Sequence, residues 1–249
     1  MGAVGFGSRV EAAFWLNHLP VTFFGRRRGK SLRQGRLATL ERLLPRLQIE
    51  PGNFAPRSVD PRSLFDRHIE TVWLEIGFGA GEHLAALAKS NPQIGFIGCE
   101  PFINGVARLL TDIDQQGLDN IRIVMDDASL LLDSLKGASI GAAFLLFPDP
   151  WPKRRHKKRR FIVPKNIAEI ARVLADGGQW RMATDHMDYC RWMLDHMTTA
   201  AEFQWLARRP GDWRIRPDDW PPTRYEGKGI DKGRLPVFLT FQRCVPGSS

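Results

Sequence analysis

From about residue 70 onward, short apolar runs alternate with segments of helical length, and this alternation constrains the fold of the 249-residue chain more than any other feature. Apolar strands separated by amphipathic helices favour a parallel sheet with helices on both faces. We therefore predict an α/β fold with a doubly wound, mostly parallel sheet. The predicted strands are Val72–Ile76, Ile94–Cys99, Ile121–Met125, Ala142–Phe147, Gly178–Thr184 and Pro236–Phe241. The predicted helices are Glu82–Ser90, Phe102–Gln116, Pro164–Leu174 and Met187–Thr199.

The first 60 residues lack this alternation, so we expect a basic, partly flexible N-terminal helical extension at residues 1–60 and one domain at residues 61–249. Its helix is expected to begin at Leu37 and to stop at Pro45. Residues 1–20 show no signal-peptide pattern, and no stretch approaches the ~20 apolar residues that span a bilayer. Three scattered cysteines have no metal-ligand spacing and are expected to stay reduced. We expect a cytoplasmic protein with no metal, no membrane contact and no obligate protein partner.

Positive charge is concentrated in two places, although the net charge of the whole chain is only +9. Residues 153–160 carry seven Lys and Arg side chains, and residues 26–36 carry six more. Together these charges exceed the net charge, so the rest of the chain is mildly acidic. A lone basic run is often a solvated loop or a localisation signal. Two concentrated runs favour binding to a polyanion, because each contact between a cation and a phosphate releases a counterion.

A glycine loop follows the first predicted strand, in the order Glu75-Ile-Gly77-Phe-Gly79-Ala-Gly81. Glycines allow the backbone to turn sharply and to approach a ligand closely. The G-x-G-x-G spacing differs from the G-x-G-x-x-G of dinucleotide-binding folds. Glu75 would repel a pyrophosphate but suits a ligand that carries an ammonium and a sulfonium. The loop therefore favours S-adenosyl-L-methionine.

Acidic residues also end the next two predicted strands. Glu100 ends the second strand, where a carboxylate can accept hydrogen bonds from both ribose hydroxyls. Asp126 and Asp127 follow the third strand, where a side chain can reach an adenine amino group. Each acid alone could equally be a helix N-cap. Acids at three successive strand ends favour a cofactor site.

The fourth predicted strand leads into Phe147-Pro-Asp149-Pro-Trp151-Pro-Lys153, directly before the basic run. The prolines restrict the backbone on both sides of Asp149 and keep it out of a helix. A proline-rich turn that only ends the strand is the alternative. The adjoining basic run favours a site where nucleic acid meets the cofactor.

These segments resemble the bacterial tRNA (guanine-N7-)-methyltransferases, a family with the class I, Rossmann-like methyltransferase fold. The resemblance rests on Leu74-Glu-Ile-Gly-Phe-Gly-Ala-Gly, the segment from Phe147 to Arg160, Ala183-Thr-Asp-His, and Thr223-Arg-Tyr-Glu-Gly-Lys-Gly. The motifs span about residues 70–243 in the family's order. The segment from Arg27 to Arg36 is more loosely similar. One departure is Arg224, where the family more often has lysine, so the charge is kept but the donor geometry differs.

The resemblance implies methylation of N7 of a guanine in the tRNA variable loop, at position 46, with S-adenosyl-L-methionine as the methyl donor. It implies cofactor contacts at the glycines Gly77, Gly79 and Gly81 and at the acids Glu75, Glu100, Asp127 and Asp149, of which Asp149 is also the catalytic candidate. Implied substrate contacts are Lys153, Asp185, Thr223, Arg224, Tyr225 and Glu226. Implied RNA contacts are Arg155, His156, Lys157, Lys158, Arg159 and Arg160.

Other functions remain open at this stage. Another S-adenosylmethionine-dependent RNA or DNA base methyltransferase would share most of these motifs. A nicotinamide-dependent Rossmann oxidoreductase would share the glycine loop but leaves the Pro-Asp-Pro-Trp turn unexplained. An RNA-binding protein without catalytic activity would explain the charge but not the acids at the strand ends.

Overall fold

The computed structural model of the protein describes residues 25–244. Its helices are α1 (Gln34–Leu47), α2 (Glu82–Ser90), α3 (Ile103–Gln116), α4 (Ala128–Ser134), α5 (Pro164–Val173), α6 (Met187–Met197), α7 (Gly211–Arg214) and α8 (Arg224–Ile230). Its strands are β1 (Thr71–Ile76), β2 (Ile94–Cys99), β3 (Ile121–Val124), β4 (Ile140–Leu146), β5 (Leu174–Thr184), β6 (Phe203–Trp205) and β7 (Val237–Arg243). Three short 3-10 helices occupy Pro51–Asn53, Pro61–Leu64 and Arg154–Arg159.

The strands form one sheet in the order β3-β2-β1-β4-β5-β7-β6. Strands β1 to β5 are parallel, whereas β7 runs antiparallel to both of its neighbours. The predicted doubly wound, mostly parallel sheet is therefore confirmed. The last residues of β1 and β2 are paired, Ile76 with Cys99, and Cys99 is paired in turn with Val124 of β3. The loops that follow these strands consequently meet at one edge of the sheet, where ligands bind in folds of this kind.

Apolar side chains fill both faces of the sheet. On one face, α2 and α3 pack through Leu84 and Leu109 against Phe96 and Phe144. On the other face, α5 and α6 pack against the core that contains Trp180. Every residue of β2 is buried, as expected for a central strand covered on both sides. This packing makes the sheet a rigid support for the loops at its carboxyl edge.

The N-terminal helix α1 extends further than the sequence suggested, because Pro45 does not end it. Pro45 removes one hydrogen bond within the last turn, but the backbone N–H of Gln48 still donates to the carbonyl of Leu44 over 2.8 Å. The leucines of α1 recur at helical spacing and pack on the face that α3 occupies, with Leu43 and Leu44 buried. Packing against α3 therefore outweighs the proline.

Several elements were not predicted from the sequence: α4, α7, α8 and β6. They are three to seven residues long, too short for apolar periodicity to identify. Strand β5 also begins at Leu174, four residues before the predicted start at Gly178, and a register shift in its pairing with β4 accommodates the extra residues. Helix α1 begins at Gln34, three residues before the predicted Leu37, and the other predicted ends agree with the structure to within about two residues.

Residues 48 and 59 each form an isolated parallel bridge to the rest of the chain, Gln48 to Ile123 and Val59 to Leu135. The division at residues 60/61 stays a prediction.

Within residues 25–244, no helix is both long enough and apolar enough to cross a membrane. The prediction that residues 1–20 hold no signal peptide lies outside the described residues.

Candidate active site

The glycine loop lies between β1 and α2, and its three glycines adopt a backbone conformation that other residues rarely take. Their φ angles are 72° at Gly77, 58° at Gly79 and 80° at Gly81. A Cβ on Gly77 would meet nothing within 4 Å, so the loop is open there. A Cβ on Gly105, in the first turn of α3, would lie 2.0 Å from the carbonyl oxygen of Gly79. Only glycine at position 105 therefore lets α3 approach the loop this closely.

Glu100 connects the glycine loop to the start of α3. The backbone N–H of Gly79 donates to one carboxylate oxygen over 2.8 Å, and that of Phe102 donates to the other over 2.9 Å. Burial raises the pKa of Glu100 to about 7, and the nearby charges of Asp149 and Glu75 add to this rise against the effect of the two N–H groups. A carboxylate has further lone pairs, so Glu100 can still accept hydrogen bonds from ligand hydroxyls.

Glu75 is buried near the end of β1, just before the loop. Glu75 and His83 are each 3% exposed, and His83 Nδ1 lies 2.7 Å from Glu75 Oε2. The other ring nitrogen of His83 is buried without a hydrogen-bond partner among the described residues. Sequence analysis missed His83, although it follows Glu75 by eight positions, in the first turn of the helix that the loop begins. The two residues form a buried pair that links the end of β1 to the first turn of α2 across the loop.

The two acids after β3 differ in their roles. Asp127 is the N-cap of α4, where its side chain accepts a hydrogen bond from the backbone N–H of Ser129 over 2.8 Å. The helix-cap alternative therefore applies to Asp127, whose other carboxylate oxygen remains available. Asp126 is buried and accepts from the backbone N–H of Asp127, and it also lies 3.4 Å from the guanidinium of Arg27. This contact places the first basic segment at the same edge of the sheet.

Asp149 lies in the turn after β4, where the backbone on either side of it is strained. Phe147 and Trp151, on either side of Pro-Asp-Pro, have φ angles of 50° and 43°. Such angles cost non-glycine residues energy and persist only where surrounding contacts enforce them. The Asp149 side chain is exposed and forms no hydrogen bond with any described residue. It is thus an available carboxylate whose charge is close enough to raise the pKa of Glu100.

The other two candidate acids for substrate binding are each paired with an arginine that sequence analysis missed. Asp185 Oδ2 lies 3.1 Å from Arg234 Nε, and Glu226 Oε1 lies 3.2 Å from Arg216 Nε. Both arginines lie outside the recognised motifs, in the irregular segments that precede and follow α8. Of the three acids, Asp149 is therefore the one without a cationic partner among the described residues.

Helix α8 carries the Thr223–Glu226 motif and lies against the glycine loop. Thr223 is its N-cap and accepts from the backbone N–H of Glu226 over 3.1 Å. A Cβ on Gly79 would lie 2.9 Å from the ring of Tyr225, so this ring covers the loop. Arg224 lies 3.6 Å from Glu82, at the start of α2. The structure therefore brings this motif to the cofactor loop, although about 140 residues separate them in sequence.

The basic segment 153–160 is divided between exposed and engaged cations. Lys153, Arg154, Arg155 and Lys158 are exposed and line a shallow depression. His156 stands edge-on to Trp151, and Arg159 lies over the same ring at 4.9 Å. Lys157 and Arg160 instead bind Asp188 of α6. The run therefore does not present one uniform positive surface.

No group of three or more His, Cys, Asp or Glu side chains among residues 25–244 is arranged to hold a metal ion. Cys99 and Cys190 are buried, Cys244 is partly exposed, and all three are free thiols.

The fold and the loops at its carboxyl edge define a class I, Rossmann-like methyltransferase. The chain is similar to the solved 16S rRNA methyltransferase KamB, with a TM-score of 0.53 and 15% identity, over 77% of this chain and 100% of that one. The family model described as "Putative methyltransferase" matches residues 70–238.

Two curated relatives carry the name tRNA (guanine-N(7)-)-methyltransferase. The protein of Rhodospirillum rubrum is 48% identical over 89% of this chain and 87% of its own length. That of Bartonella quintana is 48% identical over 90% and 96%. The chain belongs to the tRNA (guanine-N(7)-)-methyltransferase family.

Proposed function

We propose that this protein transfers a methyl group from S-adenosyl-L-methionine to N7 of a guanine in tRNA, at position 46 of the variable loop, in the cytoplasm. The names of its relatives support the reaction and the tRNA substrate. The observation that carries the proposal is the position of Asp149: an exposed carboxylate on a strained turn, without a partner among residues 25–244, near Glu100 and followed along the chain by exposed cations.

The residues around the glycine loop fit the proposed cofactor. Open space above Gly77 leaves room for a ligand, and Glu100 keeps lone pairs for ribose hydroxyls. Gly79, Gly81 and Asp127 complete the set that would hold it, and Glu75 would act from the end of β1 with His83. When bound, S-adenosyl-L-methionine supplies a sulfonium methyl group to the guanine and leaves as S-adenosylhomocysteine.

The chain's task at the guanine is chiefly to orient it. N7 of guanine has an in-plane lone pair, so its attack on the methyl carbon requires no prior loss of a proton. Holding the reactants in line can contribute about 7–11 kcal/mol to the acceleration. As the methyl group transfers, the purine ring becomes cationic. Carboxylates that accept hydrogen bonds from the N1–H and amino edge of guanine would stabilise that charge.

Asp149, Asp185 and Glu226 are the proposed carboxylates for this edge, with Asp149 the most available. Arg234 and Arg216 hold the other two in fixed positions through one oxygen each. Further proposed substrate contacts are Lys153, which follows the turn, and Thr223, Arg224 and Tyr225 at the start of α8. Among the cations of the basic segment, the exposed Arg154, Arg155 and Lys158 are best placed for tRNA phosphates.

Nucleoside mass spectrometry of tRNA transcribed in vitro tests this function, because such tRNA begins without modified bases. After incubation with the protein and S-adenosyl-L-methionine, we expect 7-methylguanosine in digests of the product. Fragment mapping should place it at position 46. A digest without 7-methylguanosine would refute the function, and 7-methylguanosine at another position would refute only the assigned site.

Asp149→Asn tests the catalytic assignment. The change removes a charge from an exposed side chain, so the stability of the fold should change by less than about 0.5 kcal/mol. We expect kcat to fall at least about 100-fold, as when a group that stabilises the transition state is removed. The Kd for tRNA should stay within a few fold. Asp195→Asn, at an exposed acid of α6, is the matched control and should leave kcat unchanged. Near-normal turnover by Asp149→Asn would contradict the assignment.

A further inference from the structure

Arg160 ends the basic segment, yet its side chain is fully buried. A guanidinium is costly to remove from water unless charge and hydrogen bonds compensate. Here Arg160 Nε donates to the carbonyl oxygen of Pro150 over 2.9 Å, and Nη2 donates to Asp188. The rings of Tyr189 and Trp192 lie 4.8 and 5.1 Å from its central carbon. These partners leave Arg160 directed into the protein rather than toward a phosphate.

The hydrogen bond from Arg160 to the carbonyl of Pro150 joins the two ends of the loop that contains the basic segment. Pro150 directly follows Asp149, and the chain between Pro150 and Arg160 contains Trp151 and the 3-10 turn. The strained angles at Phe147 and Trp151 require contacts from outside the turn to hold them. The guanidinium of Arg160 is such a contact, since it fixes the carbonyl next to Asp149.

Asp188 extends this connection to the second candidate acid. It lies in the first turn of α6, three residues after Asp185, and its other oxygen accepts from Lys157 Nζ over 2.9 Å. Hydrogen bonds from Arg160 and then Lys157 lower the pKa of Asp188 to about 2, so it stays ionised. The chain Pro150–Arg160–Asp188 therefore joins the turn that carries Asp149 to the segment that carries Asp185.

We propose that Arg160 is a positioning residue for methyl transfer, which sets Asp149 relative to Asp185 through Pro150 and Asp188, and that it does not bind tRNA phosphate. This inference rests on the proposed function. It separates the basic segment into cations that shape the site, Arg160 and Lys157, and exposed cations that remain free for RNA.

Two substitutions separate positioning from phosphate binding. Arg160→Lys keeps the charge but loses the planar donors that reach Pro150 and Asp188 together. We expect kcat to fall about 10- to 100-fold, because small displacements of reacting groups are costly. The KM for tRNA should stay within a few fold. Arg160→Gln removes the charge and should lower kcat at least as much, while the dependence of log Kd for tRNA on log salt keeps the wild-type slope.

Arg155→Gln is the matched control at an exposed cation of the same loop. It should lower the salt slope by roughly 0.7–0.9, the value for one phosphate contact. The proposal is overturned if Arg160→Lys keeps kcat within twofold of the wild type. It is equally overturned if Arg160→Gln lowers the slope as Arg155→Gln does.

Circular dichroism melts should accompany every variant, since a buried arginine is being replaced. If the Arg160 variants do not fold, Asp188→Asn decides, because that residue is partly exposed and the change preserves its shape. A folded Asp188→Asn with reduced kcat and an unchanged salt slope supports the proposal, whereas an unchanged kcat overturns it.

The wild-type protein is measured in the same assay. If it produces no 7-methylguanosine, the proposed function fails, and if it does, the variants judge the role of Arg160 alone.

Discussion

Burial of the single residue Glu100 should make binding at the proposed cofactor site depend on pH. Because burial raises its pKa to about 7, this carboxyl loses its charge within the physiological range. In the proposed site, the ionised form would accept hydrogen bonds from ribose hydroxyls, and protonation would remove part of that capacity. The affinity for S-adenosylhomocysteine should therefore be highest above pH 7 and should weaken as the pH falls through about 7. The decline can reach at most about tenfold for each pH unit below the pKa, the limit in which only the ionised form binds.

Calorimetric titrations between about pH 6 and about pH 8 measure this dependence. Glu100→Gln is the control, since the amide does not titrate and the ligand's own ionisation affects both proteins equally. The difference between the two profiles reports Glu100 alone. Parallel profiles for the two proteins would contradict the assignment of Glu100 as the ribose acceptor.

Contacts between single residues were also the hardest feature to foresee from sequence. The acids at the strand ends could be identified because each lies at or just beyond the end of a buried strand. The partners of those acids could not, since Arg216 and Arg234 lie in irregular segments that no periodic pattern places. The pairing of His83 with Glu75 depends on how tightly the glycine loop turns. Such distances follow from packing rather than from local sequence.

At the scale of elements, long buried segments were predictable and short ones were not. Helix α2 and strand β2 match their predicted bounds, because apolar periodicity continues to a clear end in each. Helix α8 has only seven residues, two of which are glycines. Its glycines weaken the helix signal that the sequence carries. One of them is required by a contact that only the fold creates.

That glycine is Gly229, where helix α8 meets Asp185. A Cβ at this position would lie 2.8 Å from Asp185 Oδ2. Gly229→Ala should therefore displace the carboxylate and lower kcat/KM for tRNA about tenfold. Gly227→Ala is the matched control in the same helix, where a Cβ would meet nothing within 4 Å. Alanine favours helix at both positions, so Gly227→Ala should keep full activity and gain slightly in stability. Equal activity in the two variants would show that the approach of α8 to Asp185 is not needed.

Across the whole molecule, the two basic segments flank one edge of the sheet. The first contacts the start of α3, where the carbonyl of Arg27 accepts from Ile103 N–H and the N–H of Gly29 donates to Asn104. The second follows β4. Strand β1, which leads into the glycine loop, lies between β2 and β4 in the sheet. The two positive segments are therefore placed to bind one polyanion on both sides of the proposed methyl-transfer site.

If one tRNA contacts both segments, neutralising each should weaken binding additively. Replacing Lys30, Arg33 and Arg36 by alanine, or Arg154, Arg155 and Lys158, should lower the slope of log Kd against log salt by roughly 2–3 in either triple variant. If the two segments contact different phosphates, the sixfold variant should lose about the sum of the two. Lys89, Lys136 and Arg67 are exposed at the opposite edge of the sheet, so their triple alanine variant controls for net charge and should leave the slope nearly unchanged.

A control that lowers the slope equally would mean that net charge, rather than its placement at the site, governs binding. A sixfold variant no weaker than one triple would mean that tRNA contacts only one segment.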